Sequence, residues 1–101
     1  MWLFVFFDLP TDTKKDRKAY ATFRKRLMGD GFTMMQFSVY TRHCASRESA
    51  MVHIKRVKNI IPAKGTISVM MITDKQYGDI VNFIGKDVKL LSAPPQQLEM
   101  F

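Results

Sequence analysis

One cysteine in 101 residues leaves no internal disulfide to staple the chain. That lone Cys44 suits a reducing compartment, and the expected location is the cytoplasm. No apolar run approaches the ~18 residues a bilayer-spanning helix needs, so no membrane partner is expected. The apolar start has no basic region before it and runs into an acid and a proline, unlike a signal peptide. A glycine-rich phosphate loop is missing, which leaves ATP or dinucleotide use without support. His43, Cys44 and His53 lack both the spacing and the fourth ligand of a zinc site. Nor does Cys44 have a third group to orient His43 as the base of a thiol nucleophile. No helix-turn-helix, zinc-finger or RRM-type aromatic motif supports base-specific reading of nucleic acid. Acids are scarce as well: nine against sixteen Lys and Arg give a net charge of +7 and a pI near 9.8. Such a balance points to a polyanionic partner, most simply nucleic acid.

What remains is the composition of an ordinary folded domain, 47% hydrophobic and 25% charged. The chain is long enough for one domain with a real core. Its most informative stretch is the first. Trp2 to Phe7 are six consecutive apolar residues, read as a strand buried on both faces, and Asp8-Leu9-Pro10 follows at once. Pro10 cannot donate to a ladder, so the strand ends there with a carboxylate at its mouth.

Thr11 to Asp16 offers helix N-cap residues, and a helix is expected to about Met28 with Tyr20, Phe23 and Leu27 as its buried stripe. Lys14, Lys15, Lys18, Lys25 and Arg26 lie outside that stripe, while Arg17 and Arg24 flank one edge of it. Gly29-Asp30-Gly31 ends the helix. Phe32 to about Thr41 is extended, with Gln36 and Ser38 marking a kink, a bulge or a break into two strands. Ser46 caps a second helix to roughly Ile60, with Ala50, Met51, Ile54, Val57 and Ile61 expected to face inward. Thr66 to Thr73 reads as a strand, Asp74 to Gly78 as a turn and Ile80 to Ile84 as a further strand. Residues 1–85 therefore form the core domain and 86–101 a C-terminal extension, which Pro94-Pro95 stiffens.

Strand, helix, one or two strands, helix, strand, strand is the order of an α+β sandwich of the ferredoxin-like type, an antiparallel sheet with two helices on one face. Those helices leave the other face bare, yet the first strand is apolar on both. A bare apolar face of that size predicts a homodimer packed through it by two-fold symmetry, with the Leu98–Phe101 tail adding a strand to the partner.

The positive charge is concentrated. Residues 11–28 hold seven Lys and Arg against two Asp, and residues 41–65 six against one Glu. Both segments are the helical ones, so the helix side becomes a platform for a phosphate backbone. Asp8 alone is a poor metal site. In a dimer that brings the two first-strand ends together, paired Asp8 carboxylates could hold Mg²⁺, which commonly takes one or two carboxylates plus water. The competing structural role for Asp8 is to start the turn before Thr11.

Phe7-Asp8-Leu9-Pro10-Thr11, the basic run Lys14 to Tyr20, Gly31-Phe32 with Gln36-Phe37-Ser38-Val39-Tyr40, and Thr73-Asp74-Lys75-Gln76-Tyr77 together resemble the CRISPR-associated protein Cas-two family, type II systems in particular. The likeness covers most of the chain and thins after Asp87. It implies a ferredoxin-like homodimer that serves CRISPR adaptation, bridges two dimers of the integrase subunit and supports double-stranded protospacer DNA. It also implies a Mg²⁺-dependent endonuclease acting on RNA or DNA. The family's catalytic and metal-binding aspartate falls on Asp8. Its preceding aromatic falls on Phe7, where many members carry tyrosine, and its site serine falls on Ser38. Its first-helix arginine falls on Arg17. Adding the neighbouring cations gives Lys14, Arg17, Lys18, Arg24 and Lys25 as the expected nucleic-acid surface. The alternatives are a DNA-bridging scaffold without catalysis, and a toxin-like ribonuclease or generic nucleic-acid-binding module.

Overall fold

The structure is a computed structural model that describes residues 1–85. The expected C-terminal extension, 86–101, and its strand addition lie outside the described residues. The chain divides into two compact units, Met1–Met71 and Ile72–Phe101.

Strand β1 (Trp2–Asp8) is followed by helix α1 (Lys14–Gly29), strands β2 (Thr33–Gln36) and β3 (Val39–His43), helix α2 (Arg47–Lys58) and strand β4 (Thr66–Ile72), all but the last residue of which belong to the first unit. The sheet order is β2-β3-β1-β4, the ferredoxin-like arrangement. β1 runs antiparallel to β3, with Trp2 opposite His43 and Phe6 opposite Val39. The core forms where Leu3, Val5 and Phe7 of β1 meet Phe23 and Leu27 of α1 and Ala50 and Val57 of α2. Alternation then sends Trp2, Phe4, Phe6 and Asp8 to the face away from the helices. That face is less bare than the sequence suggests: Phe4, stacked on Phe6 at 5.9 Å, is already buried, while Phe6 is half-buried.

Helix α1 begins at a capping box. Thr13 Oγ1 accepts from the Asp16 amide at 3.0 Å, and Asp16 Oδ2 accepts from the Thr13 amide at 3.3 Å. Lys64 lies 3.7 Å from the other Asp16 oxygen. Partial desolvation raises the Asp16 pKa, but the Thr13 hydrogen bonds and Lys64 outweigh it, and the net shift is downward. The extended stretch after Gly31 does break in two. A bulge between Met34 and Gln36 and a turn at Phe37-Ser38 separate β2 from β3.

Two expectations fail on and just after α2, and two in the second unit. Met51 and Ile61 are 44% and 52% exposed instead of buried, because the inward stripe is Ala50, His53, Ile54 and Val57. His53 can occupy that stripe because its Nδ1 meets Asp30 Oδ2 at 2.8 Å. In the second unit, residues 74–78 form a short helix, α3 (Asp74–Gly78), and not a turn. A reciprocal cap between Thr73 and Gln76 starts it. The strand expected over Ile80–Ile84 is reduced to an isolated bridge at Ile84. The Ile80 amide donates to the Tyr77 carbonyl at 3.2 Å, so the run opens by closing the helix instead of entering a ladder.

Candidate metal and nucleic-acid site

The end of β1 is held from two sides. On one, Gly65 (φ +95°) packs so closely that a Cβ there would sit 2.7 Å from the Asp8 carbonyl oxygen. On the other, the Phe7 amide donates to the Ser38 carbonyl at 3.1 Å. Ser38 itself has φ +63°, a left-handed conformation that usually calls for glycine or asparagine. Asp8 is thus fixed through its backbone on a rigid strand end, while its side chain is exposed. It lines a shallow cavity of ≈ 270 Å³ with Phe6, Phe37, Ser38, Thr66 and Ser68 among its walls.

The three residues the sequence places at this site, Phe7, Asp8 and Ser38, all line that cavity, but their side chains have different surroundings. Only Asp8 points to the open face. Phe7 is buried on the helix side, ring to ring with Tyr20, Phe23 and Tyr40 at 5.1–5.6 Å. Ser38 lines the cavity, but its Oγ is paired with the Tyr20 hydroxyl at 3.2 Å. Phe7 and Ser38 therefore stand in positions to support Asp8's placement.

No group of three His, Cys, Asp or Glu side chains converges among the described residues. One exposed carboxylate beside the hydroxyl-bearing Ser38, Thr66 and Ser68 fits a magnesium ion that keeps most of its water. It does not fit zinc, which wants four converging nitrogen or sulfur ligands.

The expected nucleic-acid residues, Lys14, Arg17, Lys18, Arg24 and Lys25, are all exposed on α1. Helix packing places them on the side of the sheet opposite Asp8. Two of them are tied down. Arg17 donates to the Thr11 and Asp12 carbonyls at 3.1 and 3.4 Å. Arg24 Nε donates to the Tyr40 hydroxyl at 2.6 Å. Both keep further N–H donors for a phosphate.

Sequence reasoning missed the cluster at the other end of the helices. Asp30, at the α1 C-cap, accepts from Arg56 Nη1 at 2.8 Å and pairs with buried His53 at 2.8 Å. Burial raises the Asp30 carboxyl, but the hydrogen bonds and charges of His53 and Arg56 outweigh it and hold the group below its ordinary value. The signal available was an aspartate beside glycine and a histidine inside an apolar stripe, 23 residues apart. Cys44 is buried, and burial pushes its thiol up, which disfavours the thiolate.

Fold and site together define a small ferredoxin-like α+β protein with a strand-end carboxylate on one side of its sheet and a cationic helix layer on the other. The family described as CRISPR associated protein Cas2 matches residues 1–80. Over 101 residues the chain is 55% identical to the CRISPR-associated endoribonuclease Cas2 of Flavobacterium psychrophilum, covering 100% of this chain and 88% of that protein. It is 54% identical to the CRISPR-associated endoribonuclease Cas2 of Parvibaculum lavamentivorans, covering 100% of both. The crystal structure of Streptococcus pyogenes Cas2 at pH 6.5 matches with a TM-score of 0.63 and 26% identity, over 84% of this chain and 100% of that one. The chain belongs to the Cas2 family. No helix among the described residues is long and apolar enough to cross a membrane.

Proposed function

We propose that this protein is the small subunit of CRISPR adaptation, a homodimer that carries an Asp8-dependent, Mg²⁺-requiring endonuclease site. Two copies pack through the open sheet faces, and the two-fold axis sets the Asp8 carboxylates against each other. Magnesium bound there would stabilise charge on a phosphodiester and lower the pKa of a water. Asp8 of each subunit would hold the ion, with Gly65 and the Phe7–Ser38 backbone contact fixing the position of Asp8. The observation that carries this reading is the exposure of a backbone-clamped aspartate on the face away from the helices.

RNA is the first substrate to test, since the relatives named above are endoribonucleases, and double-stranded DNA the second. The α1 cations form a surface for protospacer DNA, and the integrase subunit of CRISPR adaptation is the protein partner. A non-catalytic bridging role has its own support. The described residues offer one carboxylate per chain at this site, and the cations lie on the other side of the sheet. The test is Asp8→Ala assayed for RNA and DNA cleavage in Mg²⁺, alongside co-purification with the integrase and a protospacer duplex. Under the catalytic reading cleavage disappears while both bindings persist. Under the scaffold reading wild type and variant behave alike.

A further inference from the structure

The turn between β2 and β3 carries a large side chain where turns are usually polar. Phe37 is 80% exposed, the most exposed of the large apolar residues described. A single exposed phenylalanine needs no explanation by itself. This one is held in place. Ser38 turns the chain in a left-handed conformation directly after it. The Tyr20 ring lies beneath Phe37, stacked at 6.0 Å between centroids and 22° between planes. Tyr20 is in turn fixed by its hydroxyl on Ser38 Oγ at 3.2 Å and by an edge contact to Phe7 at 5.6 Å. The ring series Phe7–Tyr20–Phe37 ends in an open aromatic surface, and Phe37 lines the same cavity as Asp8.

We propose that Phe37 is a stacking platform for an unpaired nucleobase of single-stranded nucleic acid whose backbone passes Asp8. This deepens the endonuclease reading above and rests on it for the identity of the ligand. Base–aromatic stacking accepts every base, which suits a site with no base-reading motif. A rigid ring on a pre-stacked tyrosine loses little entropy when a base lands on it. A duplex has no free base face to offer, so the platform selects single strands or frayed ends. Phe37 is a positioning residue: it holds the strand, and Asp8 acts at the phosphate.

The experiment uses the full-length protein and a single-stranded oligonucleotide carrying one 2-aminopurine. Binding to wild type should quench the fluorophore. Phe37→Ala should lose the quench and bind the strand about 10-fold more weakly, with KM raised more than kcat is lowered. Phe37→Trp should restore both, and binding to blunt duplex should be unchanged throughout. Melting temperature and mass by light scattering are recorded for each variant. An unchanged quench in a folded Phe37→Ala protein overturns the proposal. So does dissociation of a dimer by Phe37→Ala, which would make the ring a subunit contact. The quench needs no cleavage, so a failure of the endonuclease reading shows separately, as an Asp8→Ala protein that cuts like wild type.

Discussion

Gly65 positions Asp8 by having no side chain. Its φ of +95° is one that L side chains rarely adopt, and a Cβ would press on the Asp8 carbonyl and on Leu9 Cδ2 at 2.6 Å. Gly65→Ala should therefore cost more than about 1 kcal/mol in urea unfolding, and any Asp8-dependent cleavage should fall with it. Gly29 has nothing within 4 Å of its would-be Cβ and closes a helix, so Gly29→Ala should be neutral or stabilising. Asp30 makes the second residue-scale prediction. Its carboxyl is held below the ordinary value of 3.8, so its contribution is complete above that pH and is lost as pH falls through the lower folded value. Asp30→Asn should destabilise the protein by about 2 kcal/mol at pH 7, and the two proteins should converge in acid-side denaturation curves. The exposed place of Asp8 at the end of β1 was legible in the sequence because it is an isolated acid after an apolar run. The Asp30–His53–Arg56 cluster was not, because its members come from two helices and no local pattern links them.

At the scale of elements, α1 was read well since its signals are local: caps at both ends and a stripe spaced at three and four. Replacing the capping threonine, Thr13→Ala, should cost about 1 kcal/mol in thermal melts. The cations on α1 divide by their partners. Lys18→Ala or Lys25→Ala should weaken duplex binding and make its salt dependence shallower by about one ion per lost phosphate contact, with little effect on stability. Arg24→Glu should do both, because it also strands the buried Tyr40 hydroxyl that Arg24 Nε now meets. A salt slope unchanged in all three would exclude α1 as the phosphate surface. The β2–β3 break was narrowed to Gln36–Ser38 but not resolved, because serine rarely adopts the left-handed turn it takes here. α3 was read as a turn, and the structure has a short helix there instead, started by Thr73 and Gln76 capping each other across three residues.

The first unit is asymmetric about its sheet, with α1, α2 and their cations on one side and Asp8 with Phe6 and the exposed Met70 on the other. The ferredoxin-like order was legible because element order and apolar periodicity survive small errors in boundaries. The partial burial of the open face was not, since periodicity assigns residues to a face without saying what lies against it. If that face joins two copies, Phe6→Glu should shift the mass in light scattering from dimer to monomer at micromolar concentration. The most direct test of the account is Mg²⁺-dependent cleavage of single-stranded RNA by wild type and Asp8→Ala, both verified as dimers of equal stability. The variant should lose at least about 100-fold in rate at saturating Mg²⁺. Equal rates would rule out Asp8 as the metal-binding catalytic group and leave the protein as a scaffold.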